Sequence, residues 1–147
     1  MPPHQPRPRS ATSSQDGGAT TARAPERRLR AIRGAISVDR DEATAIYAAT
    51  RELLDAIVGR NGITTDDIIS VIFTVTPDLT AAFPALAARQ MGWLDVPLLC
   101  TMEIPVPGAL GRIIRVLLHV ETPRARGKIA HVYLRAAEAL RPDHARG

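Results

Sequence analysis

Apolar positions along this chain follow two periods, one helical and one extended, and both begin only after a long polar stretch. Residues 41–60 place Ala45, Ile46, Ala49, Leu53, Ala56 and Ile57 at helical spacing, which predicts an amphipathic helix with its stripe in a core. Asp39, Asp41 and Glu42 offer caps or favourable charge at its start, and Asn61-Gly62 ends it. Thr64 to Asp67 reads as a turn or brief helical cap. Ile68 to Thr76 is apolar and rich in β-branched residues, so it predicts a central strand that Pro77 stops. Phe83 to Met91 fits a short helix closed by Gly92. Pro97 to Glu103 and Ile113 to Thr122 predict two further strands, and Pro105, Pro107 and Gly108 force a loop between them. Near the start, Leu29, Ala31, Arg33 and Ala35 share one face of a strand, which puts Arg33 on the more apolar side. His131 to Leu140 is ambiguous: HVYL favours strand, whereas Arg135 to Leu140 favours helix.

Residues 1–26 are rich in Pro, Ser, Thr, Ala, Gly and Arg and hold almost no large apolar side chain. Such a segment cannot bury enough surface to offset its ordering entropy, so a disordered tail is expected there. A folded unit over 27–143 and a short tail at 144–147 complete the division. The chain of 147 residues suits one domain, and with only 3% aromatic residues its core must be aliphatic. The net charge of +4 belongs to the front of the chain. Arginines 7, 9, 23, 27, 28 and 30 against Asp16 and Glu26 account for all of it. The rest is balanced and lacks an aromatic-studded basic platform, which argues against nucleic acid as a partner. No apolar run reaches the length of a membrane span, and no signal peptide is visible. Cys100 is the single cysteine, so an internal disulfide is impossible and a reducing cytoplasm is the simplest setting.

The chemistry on offer is narrow. There is no phosphate-binding glycine loop, no zinc-protease helix motif and no nucleophile elbow. The histidines at 4, 119, 131 and 144 form no recognisable triad, so neither covalent nor metal-assisted work is expected, and no cofactor. Arg115 is the exception that draws the eye, a charge inside the apolar run IIRVLL. Burying it is costly unless something pairs with it. Arg33 and Arg89 are similarly placed in apolar surroundings. Two readings stand: a pocket for an anionic ligand, matched by the guanidinium fork, or internal salt bridges. Glu103 could be a general base or an arginine's partner, and Tyr133 a core aromatic with its hydroxyl at the surface. Cys100 alone reads first as a small core residue.

At these residues the chain resembles a known family, the small trimeric, mixed α/β class of chorismate mutase. The matching pieces run in order from Leu29 to Asp143: RAIRGAISVDRDE, TVTPDLTAAFPA, ARQMGW, VPLLCTMEI, GALGRIIRVLLHVET and HVYL…LRPD. Their combination is far more specific than any single piece. The resemblance implies an α/β (α+β) fold, a mixed sheet of about five strands packed on one long and one short helix. It further implies a pseudo-barrel homotrimer with sites between neighbours, and a strand for the segment matching HVYLRAAEAL. The implied activity is the Claisen rearrangement of chorismate to prephenate, toward phenylalanine and tyrosine, with no cofactor. By the same resemblance Arg115 contacts the ether oxygen and Glu103 the ring hydroxyl. Cys100 lines that pocket, and Arg33 and Tyr133 lie near the side-chain carboxylate and ether. Phe83, Ala85 and Arg89 form the entrance wall, with Leu140 and Arg141 as a C-terminal cover. Cys100 and Glu103 are three apart, so an ideal strand sends them to opposite faces. Leu86 stands where some members carry a lysine. Three other readings compete: a trimeric enamine/imine deaminase of similar architecture, a non-catalytic small-ligand sensor, and nucleic-acid binding through the arginine tail.

Overall fold

A computed structural model describes residues 25–145, and the expected tail at 1–26 falls almost wholly outside them. Five strands and three helices follow in the order β1 (Arg28–Ser37), α1 (Ala43–Asn61), β2 (Ile68–Val75), α2 (Pro84–Gln90), β3 (Leu98–Met102), β4 (Ile113–Thr122), β5 (Val132–Leu134) and α3 (Pro142–Ala145). Short 3-10 turns occupy Thr65–Asp67, Arg126–Lys128 and Arg135–Leu140. The strands form one mixed sheet in the order β3-β2-β4-β1-β5. β4 runs antiparallel to both its neighbours, while β2–β3 and β1–β5 are parallel pairs. One end of the sheet therefore gathers the ends of β1, β2, β3 and β5 and the start of β4.

The helical stripe does what its spacing predicts. Ile46, Ala49, Leu53 and Ile57 are fully buried against Ile32, Ile36, Phe73, Val116 and Leu118 of the sheet. Gly62 closes α1 in the left-handed conformation that suits glycine, its N–H reaching the Val58 carbonyl. Gly34 lets the helix come close: a Cβ there would stand 2.9 Å from Ile57 Cδ1 and 3.1 Å from Val116 Cγ1. Asn61, buried at the helix end, donates to the Ile57 and Ala130 carbonyls and accepts from the Ala130 N–H.

Three expectations need correction. The buried side of β1 is Ile32, Gly34 and Ile36, so Arg33 lies on the opposite, exposed side. Arg115 is also exposed, because helices cover only one face of the sheet and β4 turns its odd positions to the other. The apolar look of IIRVLL misleads because both faces carry apolar residues. Second, Asp41 caps nothing on α1: Glu42 is the N-cap residue, without a side-chain bond, and Asp41 reaches elsewhere. Third, the segment HVYLRAAEAL is strand only over Val132–Leu134. Arg135 then adopts a positive φ of 55°, its guanidinium donates to the Ser37 carbonyl and to Glu52, and the Ser37 hydroxyl accepts the Ala136 N–H. The chain leaves the sheet at that corner and continues as a 3-10 turn.

The face opposite α1 and α2 is largely bare. Leu29 and Leu99 stand 60% exposed on it. Among the described residues its cover is local, where Ala35, Ile113, Tyr133 and Ala137 form a small buried cluster with Leu140 against it. Among the described residues no helix is long and apolar enough to cross a membrane.

Candidate active site

Strand register sets out the bare face. Thr101, Thr74, Arg115, Ala35 and Tyr133 pair successively across β3, β2, β4, β1 and β5. Paired residues share a face, so Thr74, Arg115 and Tyr133 fall in one row near the gathered strand ends. Glu103, just past β3, continues the same side as Thr101. Its N–H holds the Val75 carbonyl at 2.9 Å, and its Oε1 receives both the Thr74 hydroxyl at 2.8 Å and Arg115 Nε at 2.7 Å. Arg115, Arg33, Thr74 and Tyr133 line a concavity of about 240 Å³. Tyr133 is buried, at 4% exposure, as its reading as a core aromatic requires. Arg33 also meets the residue just before β5: its backbone N–H donates to His131 Nδ1 at 3.0 Å. Both sequence readings of Arg115 thus meet at one place. It has an acidic partner, and it is open enough, at 45% side-chain exposure, to meet a ligand.

A second group lies apart. Phe83, Ala85, Leu86, Arg89, Leu98, Leu99 and Cys100 line a concavity of about 350 Å³ at the edge strand β3, beside α2. Pro84 at the first turn of α2 stops nothing and pre-sets the helix, so Ala85 and Arg89, four apart, share a face over the strand. Cys100 pairs with Phe73 and points to the helix side, so it and Glu103 do occupy opposite faces. Burial raises its thiol pKa, opposed by a backbone hydrogen bond from Ala85 and by the charge of Arg89, so it stays protonated at neutral pH. Neither Arg33 nor Arg89 forms an ion pair among the described residues. Phe83 is 73% exposed. The larger apolar hollow of about 480 Å³, between Tyr47, Leu79, Phe83 and Met102, shares Phe83 and Cys100 with this group but lacks a cationic side chain.

The C-terminal pair sits by the first group. Leu140 packs on the Tyr133 cluster, and Arg141 forms a two-pronged pair with Asp143 at 3.1 and 2.9 Å. Sequence reasoning missed Thr74, Asp41, Asp78 and Arg112. Thr74 was findable, being in step with Ser70 and Ile72 on the half-buried side of β2; the others depend on loops meeting in space. Asp41 accepts the Thr80 and Ala81 N–H groups at 3.0 and 2.9 Å and the Thr80 hydroxyl at 2.9 Å, tying the β1–α1 loop to the segment that carries Phe83. Among the described residues no three His, Cys, Asp or Glu side chains are grouped to hold a metal.

These carboxylates make a pH prediction. The Ala81 N–H holds Asp41 below the usual carboxylate range, the Thr64 N–H does so for Asp67, and the Thr76 hydroxyl for Asp78. Each folded pKa is depressed, so the stabilising contribution is complete above the ordinary carboxylate pKa and disappears as pH falls through the lowered one. Thermal midpoints should be flat from neutrality to about pH 5 and decline below about pH 4. Asp41→Asn should soften that decline.

Comparison with known proteins now bears on this arrangement. A sequence model of the family described as chorismate mutase type I matches residues 29–144. A chorismate mutase AroH from Thermus thermophilus is 54% identical over 116 residues, 78% of this chain and 95% of that protein. The Bacillus subtilis chorismate mutase AroH is 41% identical over 116 residues, 78% of this chain and 91% of its own length. The solved structure of a chorismate mutase from Clostridium thermocellum superposes with a TM-score of 0.74 at 52% identity, covering 74% of this chain and 97% of the other. The mixed sheet, the order of its elements and these matches together make the chain a member of the chorismate mutase type I family.

Proposed function

We propose that this chain converts chorismate to prephenate at a site made from its two groups of residues, brought together by neighbouring copies. The observation that carries the reading is the Thr74–Glu103–Arg115 constellation, a guanidinium held at 2.7 Å by a fixed carboxylate on an uncovered sheet face. The rearrangement is unimolecular. A protein accelerates it by holding the compact conformer and by binding the polarised transition state more tightly than the ground state. As the ether C–O bond breaks, its oxygen gains negative charge, and Arg115 is the cation set to meet it. One such fixed donor is worth about 3–4 kcal/mol. Glu103 fixes Arg115 and accepts from the ring hydroxyl. Arg33 and Tyr133 hold the side-chain carboxylate and ether region, while Arg89, Phe83, Ala85 and Cys100 wall the pocket. Leu140 and Arg141 cover it. Leu86 brings no charge, so Arg89 and Arg141 are the cations left for the second carboxylate.

The two groups line separate concavities on one chain, and the bare face carries exposed Leu29 and Leu99. Both facts favour assembly of copies across that face, and we read the assembly as a homotrimer with one half of each site from each neighbour. A cytoplasmic setting suits the lone thiol. No step transfers a proton or needs a cofactor. Prephenate formation should therefore be nearly constant from about pH 6 to 9, because no catalytic group has to titrate. A steep bell-shaped dependence of the chemical step would overturn the electrostatic mechanism in favour of general acid–base catalysis.

A further inference from the structure

We propose that Asp78 is a positioning residue for Arg115, acting through the backbone turn at Arg112 from which β4 starts. This inference rests on the role given to Arg115 above. Arg112 has φ 50°, and with Arg135 it is one of two non-glycine residues at positive φ among the described residues. L side chains resist that conformation, so something must hold it. Asp78 does so. Its two carboxylate oxygens accept the Arg112 N–H at 3.0 and 2.9 Å. The same carboxylate accepts the Thr76 hydroxyl at 2.5 Å, and that hydroxyl in turn accepts the Ile113 N–H at 3.0 Å. The Ile113 carbonyl accepts the Thr76 N–H at 3.1 Å.

The turn is also pinned to β1. Its carbonyl at Arg112 accepts the Val38 N–H at 2.8 Å, and the Arg112 guanidinium donates to the Asp39 carbonyl. Three segments therefore meet at the Arg112 turn that Asp78 holds: the end of β1, the loop after β2, and the start of β4. The approach is close enough that a Cβ at Gly111 would lie 2.5 Å from Asp78 Oδ2. The loop ahead of β4 contains Pro105, Pro107, Gly108 and Gly111, which offer little of their own to fix where the strand begins. Arg115 follows three residues after Arg112, directly opposite Thr74. Asp78 does not line the Arg115 concavity, so it acts on the reaction only through the strand.

A merely stabilising loop contact would lower the melting temperature and leave turnover per folded site unchanged. A positioning role has a different signature. Asp78→Asn keeps the shape and removes one acceptor. It should lower kcat roughly 10- to 100-fold, the cost of a misplacement near 1 Å, with KM changed less than about threefold. The decisive comparison is the cycle with Arg115→Lys. In that background Asp78→Asn should cost less than about twofold, because there is no guanidinium left to position. An unchanged kcat in Asp78→Asn, or an equal loss in both backgrounds, would overturn the proposal. Wild-type turnover in Arg115→Lys alone would instead remove the role of Arg115, a distinct failure. If Asp78→Asn does not fold, Gly111→Ala serves as the second probe, since its methyl displaces the carboxylate while Asp78 remains. It should give the same kcat-specific, Arg115-dependent loss, and a normal kcat there would equally overturn the proposal.

Discussion

Arg115→Lys should lower kcat by roughly 10²–10³-fold while leaving the fold nearly intact. The asymmetry follows from where the residue sits. Its side chain is 45% exposed and its one ion pair, to Glu103, is only partly buried, so its contribution to folding is small. Exposed pairs contribute about 0–1 kcal/mol, and a lysine retains the charge. In the proposed mechanism turnover depends on something a lysine lacks. The guanidinium is bound at Nε by Glu103, which leaves its remaining N–H groups to donate in the guanidinium plane. An ammonium offers neither the plane nor the reach, and once drawn to Glu103 it leaves the ether oxygen unmet. The loss should appear in kcat more than in KM, because the charge it answers develops only on the way to the transition state. Steady-state kinetics beside urea unfolding would separate the two effects. Near-normal turnover would strike Arg115 from the mechanism.

Mixing two inactive variants should restore activity. Arg115→Ala removes a cation from the sheet-face group and Arg89→Ala one from the edge-strand group. If each site draws one group from each of two neighbours, a hybrid assembly contains sites in which both defects fall on the wrong side and neither is felt. For random reassembly of equal amounts in a closed ring, about one quarter of sites regain both arginines. Each variant alone should turn over at least about 10²-fold slower than wild type if its cation is a transition-state donor. The recovered rate would then stand far above both backgrounds. Recovery must require exchange of copies, so brief dissociation and reassembly should precede the assay. Exchange proven by a size or mass label without any recovered rate would place both arginines in one copy's site.

The long helix was legible because its burial is local: six apolar positions at one spacing need a single partner surface, and the sheet provides it. The positions of β2 and β3 along the chain were legible as well, since Pro77, Pro105 and Pro107 mark where extended runs stop. The faces of those strands were not. Arg115 and Arg33 looked buried because β4 and β1 carry apolar residues on both sides, and period alone does not say which side the helices cover. A sheet that packs on its own helices and then on other copies produces that double pattern. The corner at Arg135 was hidden for a different reason. Its positive φ is held by Ser37 and Glu52, which lie 98 and 83 positions earlier, on β1 and α1, and are adjacent only once the sheet exists. Asp41 read as a cap or favourable charge for α1 and Asp78 drew no reading of its own, although each joins loops that meet only after folding. Residue types marked Arg115 and Glu103 as candidates, whereas the loop contacts that fix the ends of their strands were not readable from local sequence.

The most direct measurement incubates the purified full-length chain with chorismate, follows its disappearance, and identifies the product, with Arg115→Ala as the paired control. The account predicts prephenate from the wild type and at least about a hundredfold slower formation from the variant. Chorismate left unchanged by an assembled wild-type protein, or equal prephenate formation by both, would contradict it.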